Sequence, residues 1–131
     1  MLDRFMTTAA VILTLGACAG EADGTAPTLN SLTYAPERIL AGEATNVTGT
    51  VLFEDPEGDL LELHSEIVGP DGRPVLTAPS PIAGSEGLRA GQVNIALVVN
   101  MPASGTYTLR VWVRDAHGHD SNVLTGPLHV E

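Results

Sequence analysis

Val47, Gly49, Val51 and Phe53 fall on one side of the segment Ala44–Glu54, and Asn46, Thr48, Thr50 and Leu52 fall on the other. A period of two is the repeat of a strand. The same period returns in Gln92–Asn100, through Val93, Ile95, Leu97 and Val99, and in Thr106–Arg114, through Tyr107, Leu109, Val111 and Val113. Three such stretches commit the chain to sheets that share an apolar layer, with no convincing helix.

Weaker signals complete the pattern. Thr28–Tyr34 carries Leu29, Leu32 and Tyr34, and Leu60–Val68 places Leu61, Leu63 and Ile67 together. Gly69-Pro70-Asp71-Gly72 is a strong turn, because each of its residues favours a turn conformation. Val75–Thr77 is a short edge strand, followed by a stretch rich in Pro, Gly and Ser, and Asn122–Val130 closes the set. About seven strands separated by regular turn signals predict an all-β fold, an antiparallel sandwich with Greek-key connections. Fourteen Gly and nine Pro in 131 residues suit a chain with that many turns. The formal net charge is −10, with six Lys plus Arg and no basic cluster. That argues against nucleic acid as a partner and against electrostatic docking on anionic lipid.

Ahead of the strands lies the apolar run Phe5–Leu15, too short for a membrane-spanning helix, which needs ~20 residues. It has the length of a signal-peptide core. The following Leu15-Gly16-Ala17-Cys18 resembles a bacterial lipobox. That resemblance implies a lipoprotein signal peptide over residues 1–17, cleavage after Ala17, and palmitate-type acylation of Cys18. Cys18 is the only cysteine, so it has no internal disulfide partner. Lipidation accounts for such a thiol in an exported protein, and the acyl chains become the membrane partner. Residues 18–27 read as the lipidated Cys and a flexible tether, and residues 28–131 as the domain. Ala19 is not the Asp of inner-membrane retention, so resemblance to enterobacterial sorting favours the outer membrane of the cell envelope.

Two segments resemble bacterial immunoglobulin-like domains of the PKD and cadherin-like kind. Val51-Leu52-Phe53-Glu54-Asp55-Pro56-Glu57-Gly58-Asp59-Leu60 is similar to their acidic loop, and Ser104–Gly118 is similar to their last hairpin. The Trp-Asp-x-Gly-Asp-Gly stretch of PKD domains is missing, and Glu66–Gly72 stands in its place. The resemblance implies a non-catalytic binding or structural module that contacts an envelope protein or a glycan. Within that hairpin Tyr107 fits a tyrosine corner, with its ring inward and its hydroxyl on nearby backbone.

In this topology the loops Asp55–Asp59 and Asp115–Asp120 share one end of the sandwich. They bring together Asp55, Glu57, Asp59, Asp115 and Asp120. Hard oxygen donors gathered this way suit calcium. The alternative is a solvated turn. His117 and His119, one residue apart, offer a different site, for copper or zinc, with Asp115, Asp120 or His64 as a further ligand. Alternation turns Trp112 away from the Tyr107 side of its strand. There it is either a partner contact or is covered by a neighbouring strand or by Arg110 and Arg114. The chain has no Gly-x-Ser-x-Gly elbow, phosphate loop or HExxH motif, and its carboxylates gather in a turn instead of flanking a cleft. The expectation is a protein that is not an enzyme.

Overall fold

The computed structural model describes residues 24–131. The signal peptide, Cys18 and residues 19–23 of the tether lie outside the described residues. Eight strands follow one another: β1 (Thr28–Ala35), β2 (Arg38–Ile39), β3 (Thr45–Glu54), β4 (Leu60–Val68), β5 (Pro74–Pro81), β6 (Ala90–Val99), β7 (Gly105–Asp115) and β8 (Leu124–Val130). They form a five-stranded sheet in the order β2-β8-β7-β4-β5 and a three-stranded sheet in the order β1-β3-β6. Neighbours are antiparallel except β2 and β8. Among the described residues no helix is long and apolar enough to cross a membrane.

The two inner faces meet on the side chains that the alternation picks out. Val47, Val51 and Phe53 of β3 and Val93, Ile95, Leu97 and Val99 of β6 face Leu63 and Ile67 of β4 and Tyr107, Leu109, Val111 and Val113 of β7. Each is buried, and burying a Val, Leu or Ile side chain contributes about 1.5–3 kcal/mol. Tyr107 donates its hydroxyl hydrogen to the Ala103 carbonyl at 2.8 Å, the bond expected of a tyrosine corner.

Two departures from simple alternation have a common cause. Leu61 does not join Leu63 and Ile67. The β4–β7 register slips between Leu60 and Glu62, so Leu60 turns inward and Leu61 is left 48% exposed. In β1 the register slips between Asn30 and Thr33, and Ser31 takes a φ of 60°. The extra residue lets Leu29 and Leu32, three apart, both reach the core. β5 also extends to Pro81, well past the expected Thr77, and β2 is an additional strand. The packed body begins before Thr28, because Pro27 is fully buried.

Candidate metal site at the loop pole

β3 leaves the three-stranded sheet at Glu54 and the chain crosses to β4 through the acidic loop. Asp55 N–H donates to the Arg89 carbonyl at 2.8 Å, and Gly58 N–H donates to the Asp55 carbonyl at 3.0 Å. Gly58 sits at a φ of 66°, and a Cβ there would lie 3.0 Å from the Gly87 backbone, so the turn requires glycine. The loop is thereby fixed against the β5–β6 connection. Asp55 is completely buried. Its Oδ2 accepts the Asp59 N–H at 2.8 Å, and Glu57 reaches the incoming chain by accepting the Thr25 N–H at 2.9 Å.

The second loop follows β7. Asp115, also buried, organises it. Its Oδ1 accepts the N–H groups of His117 and His119 at 2.9 and 2.8 Å, and its Oδ2 lies 3.0 Å from His119 Nδ1. Short acidic side chains favour such bonds to backbone two and four residues on. The loops join where Ala116 N–H donates to the Asp59 carbonyl at 2.9 Å and His117 Nδ1 meets Asp59 Oδ2 at 2.7 Å.

Among the described residues, two buried carboxylate oxygens at this pole lack a partner. Asp55 Oδ1 and Asp59 Oδ1 are buried and accept no hydrogen bond. A buried acceptor without a donor costs about 1–3 kcal/mol, and more when it is charged. Burial pushes the Asp55 carboxyl up from its ordinary value, and the neighbouring Asp59 charge adds to the rise, while the Asp59 and Glu57 N–H groups work against it. Asp115 responds differently. Burial raises it too, but the hydrogen bonds from His119 and His117 outweigh burial and leave it below its ordinary value.

Ligand atoms of Asp55, Glu57 and Asp59 all lie within 4.8 Å of one another, and so do those of Asp59, Asp115 and His117. Asp59 belongs to both groups. The first offers only oxygen and contains both unsatisfied atoms, a donor set that suits a hard cation such as calcium. The second mixes oxygen with one imidazole nitrogen.

Four of the five expected carboxylates therefore converge, and Asp120 stands apart. Arg114 holds it in a two-pronged pair, Nε to Oδ1 at 2.7 Å and Nη2 to Oδ2 at 3.1 Å. The Arg114 hydrogen bonds hold the Asp120 carboxyl below its ordinary value. His119 lies with its ring centroid 6.3 Å from that of His117 and is tied to Asp115. His64 is away from the pole, stacked on Trp112 at 5.3 Å between centroids and bonded to Glu62 at 3.1 Å. Trp112 is half-buried on the outer face of the five-stranded sheet, with the Arg110 guanidinium 5.6 Å from its ring. The contribution of Thr25 and of the β5–β6 connection carries no signal in the sequence, because both act through backbone.

No family model matches the chain, and no curated protein matches it. Solved structures do. The PKD domain of an M14-like peptidase from Thermoplasmatales archaeon SCGC AB-540-F20 is 22% identical, with a TM-score of 0.51 over 81% of this chain and 96% of that one. A fibronectin(III)-like module structure of CbhA from Clostridium thermocellum is 14% identical, with a TM-score of 0.50 over 92% of this chain and 50% of that one. The alkylpurine DNA glycosylase AlkC of Pseudomonas fluorescens gives 0.55 at 13% identity, and this chain spans about a third of its length, 31%. At these identities the likeness is one of fold, and the fold is an immunoglobulin-like β-sandwich.

Proposed function

We propose that this chain is a non-catalytic immunoglobulin-like module, anchored on the bacterial cell envelope through lipid on Cys18 and stabilised by calcium at its loop pole. The observation that carries the calcium reading is the pair of buried, unsatisfied oxygens, Asp55 Oδ1 and Asp59 Oδ1. Together with Glu57 they present three carboxylates to one point, and a divalent cation would offset both the missing hydrogen bonds and the mutual repulsion. A side-chain-filled interior supports the non-catalytic reading, as does a fold shared with modules attached to other proteins. The module's role is contact with an envelope protein or glycan, for which Trp112 is the aromatic candidate on the outer face.

Calcium titration of the full chain in detergent, followed by melting temperature, tests the cation. Extracellular calcium modules bind with Kd of about 0.1–1 mM, so ~10 mM calcium raises Tm by about 5–10 °C. An unmoved Tm removes calcium from the reading. Zinc or copper shifting the melt while calcium does nothing, with the shift lost in His117→Ala, would replace calcium by the transition-metal site. The anchor is tested separately. Cys18→Ser leaves the protein out of the membrane fraction if acylation holds it there, and unchanged membrane retention would sink the anchor.

A further inference from the structure

The sandwich has four sheet edges, and three are blunted. β2 is two residues long. β5 carries Pro74, Pro79 and Pro81, which cannot donate to a new ladder. β1 is bulged at Ser31 and its outer edge is taken: Asn122 accepts the Leu29 N–H at 2.7 Å and donates to the Leu29 carbonyl at 3.0 Å. Further along β1, the Tyr34 ring lies over Gly126 and its hydroxyl donates to the Pro127 carbonyl, tying β1 to β8.

β6 has none of these devices. Its ten residues pair with β3 in one unbroken register, from Ala90 opposite Glu54 to Val99 opposite Thr45. They include no proline, no charged side chain and no bulge. Among the described residues no strand lies beyond β6, so alternate backbone N–H and C=O groups along it point outward. Gln92, Asn94, Ala96 and Val98 are exposed, Val98 by 68%. The seam between β5 and β6 is open as well. It holds a hollow of about 200 Å³ beside Leu63 and Val93, and another of about 490 Å³ beside Leu76, Val98 and Met101.

We propose that β6 pairs with β6 of a second copy of this chain, antiparallel about a two-fold axis, to make one six-stranded sheet. Three observations select a second copy as the occupant. First, β6 is uncharged over its whole length, so self-pairing buries no unmatched charge. Second, β6 begins at the acidic pole, because Ala90 pairs with Glu54 beside Asp55. Antiparallel pairing therefore sends the two acidic poles to opposite ends, ~30 Å apart over a ten-residue strand, which limits repulsion between two molecules of net charge −10. Third, among the described residues β6 is the one edge strand of ten residues free of proline, bulge and covering side chains. Pairing consumes it, so assembly closes at two and does not propagate. The inference is independent of the calcium reading.

Sedimentation equilibrium of the full chain in density-matched detergent, over roughly 1–100 µM, measures it. The wild type is expected to show the mass of two copies. Asn94→Lys and Ala96→Lys, separately, set like charges facing across the axis and weaken association by about tenfold or more while the domain stays folded. Asn94→Glu and Ala96→Glu do the same alone. Mixing the Lys variant with the Glu variant at the same position restores two-copy assembly, a result that an interface elsewhere would not give. A single-copy mass at ~100 µM overturns the proposal, leaving β6 to a strand from another protein. A two-copy mass that survives all four substitutions also overturns it.

Discussion

Asp59 donates its backbone N–H to Asp55 Oδ2 at 2.8 Å, while its carboxylate meets His117 Nδ1 at 2.7 Å. One residue thus ties a fully buried carboxylate of the β3–β4 loop to the turn after β7. The bond satisfies one oxygen of Asp55, and Asp55 Oδ1 and Asp59 Oδ1 are both left without a donor. Without a cation these hydrogen bonds hold the pole together against the repulsion of its carboxylates.

That tension makes Asp55→Asn stabilising when calcium is chelated. An amide keeps the oxygen that accepts the Asp59 N–H, removes one of the two charges, and offers an N–H to Asp59. The expected gain is about 1 kcal/mol, or ~4 °C in Tm near neutral pH, with the calcium response abolished. A Tm below the wild type in chelator would show that the Asp55 charge is already compensated. The pH dependence has a definite sign. A carboxyl raised by burial contributes stability at low pH and loses it as pH rises from 3.8 through its folded value. The cation-free wild type should therefore gain on Asp55→Asn as pH falls into that window.

Asp115 gives the opposite sign. Its carboxyl is lowered, so its contribution is fully present above 3.8 and disappears as pH falls through the folded value. Asp115→Ala would leave the N–H groups of His117 and His119 without their acceptor. The expected cost is about 2–4 kcal/mol, or ~10 °C in Tm at pH 7, in chelator and in calcium alike. Thermal melts in both buffers check it. A loss seen only in calcium would make Asp115 a cation ligand instead of the organiser of its turn.

How much of this was legible in the sequence follows from what each feature depends on. The buried faces of β3, β6 and β7 obey alternation, which reads directly as strand and side. The meeting of the Asp55 and Asp115 loops follows from topology once the strands are known. Leu61 and Leu32 were harder, because a bulge changes phase by one residue and leaves no mark in composition. Asp120 carries the same side chain as Asp115, five residues earlier. Its separation from the site depends on Arg114, the neighbour that reaches it first. The open edge at β6 could not be seen at all, since it requires knowing which strands end each sheet.

The phase change in β4 is open to a direct comparison. Leu63 is buried at 5% exposure and Leu61 is 48% exposed. Leu63→Ala is expected to cost about 2–5 kcal/mol, through lost burial and the cavity left behind. Leu61→Thr should stay within about 0.5 kcal/mol, as exposed substitutions usually do. Urea unfolding of both variants measures the difference. Equal losses would place Leu61 in the core and remove the bulge between Leu60 and Glu62.

Asn122 closes the β1 edge with a single side chain, accepting from Leu29 N–H and donating to the Leu29 carbonyl. Replacing it by alanine leaves both backbone groups to water, which reaches this rim, so the stability cost stays near 1 kcal/mol. The local effect is larger than the global one. The Leu29 amide is held by a side chain instead of a strand ladder, so it exchanges once that side chain is gone, without the domain unfolding. Hydrogen exchange in Asn122→Ala should therefore accelerate at Leu29 by at least about tenfold, while amides of β3 and β7 slow or quicken only with global stability. Asn122→Asp separates the two bonds: its carboxylate still accepts the Leu29 N–H but cannot donate to the carbonyl. Protection at Leu29 should then persist in Asn122→Asp and vanish in Asn122→Ala. Equal protection in all three proteins would mean that the β1 edge is closed by its packing on Tyr34 and β8, and not by Asn122.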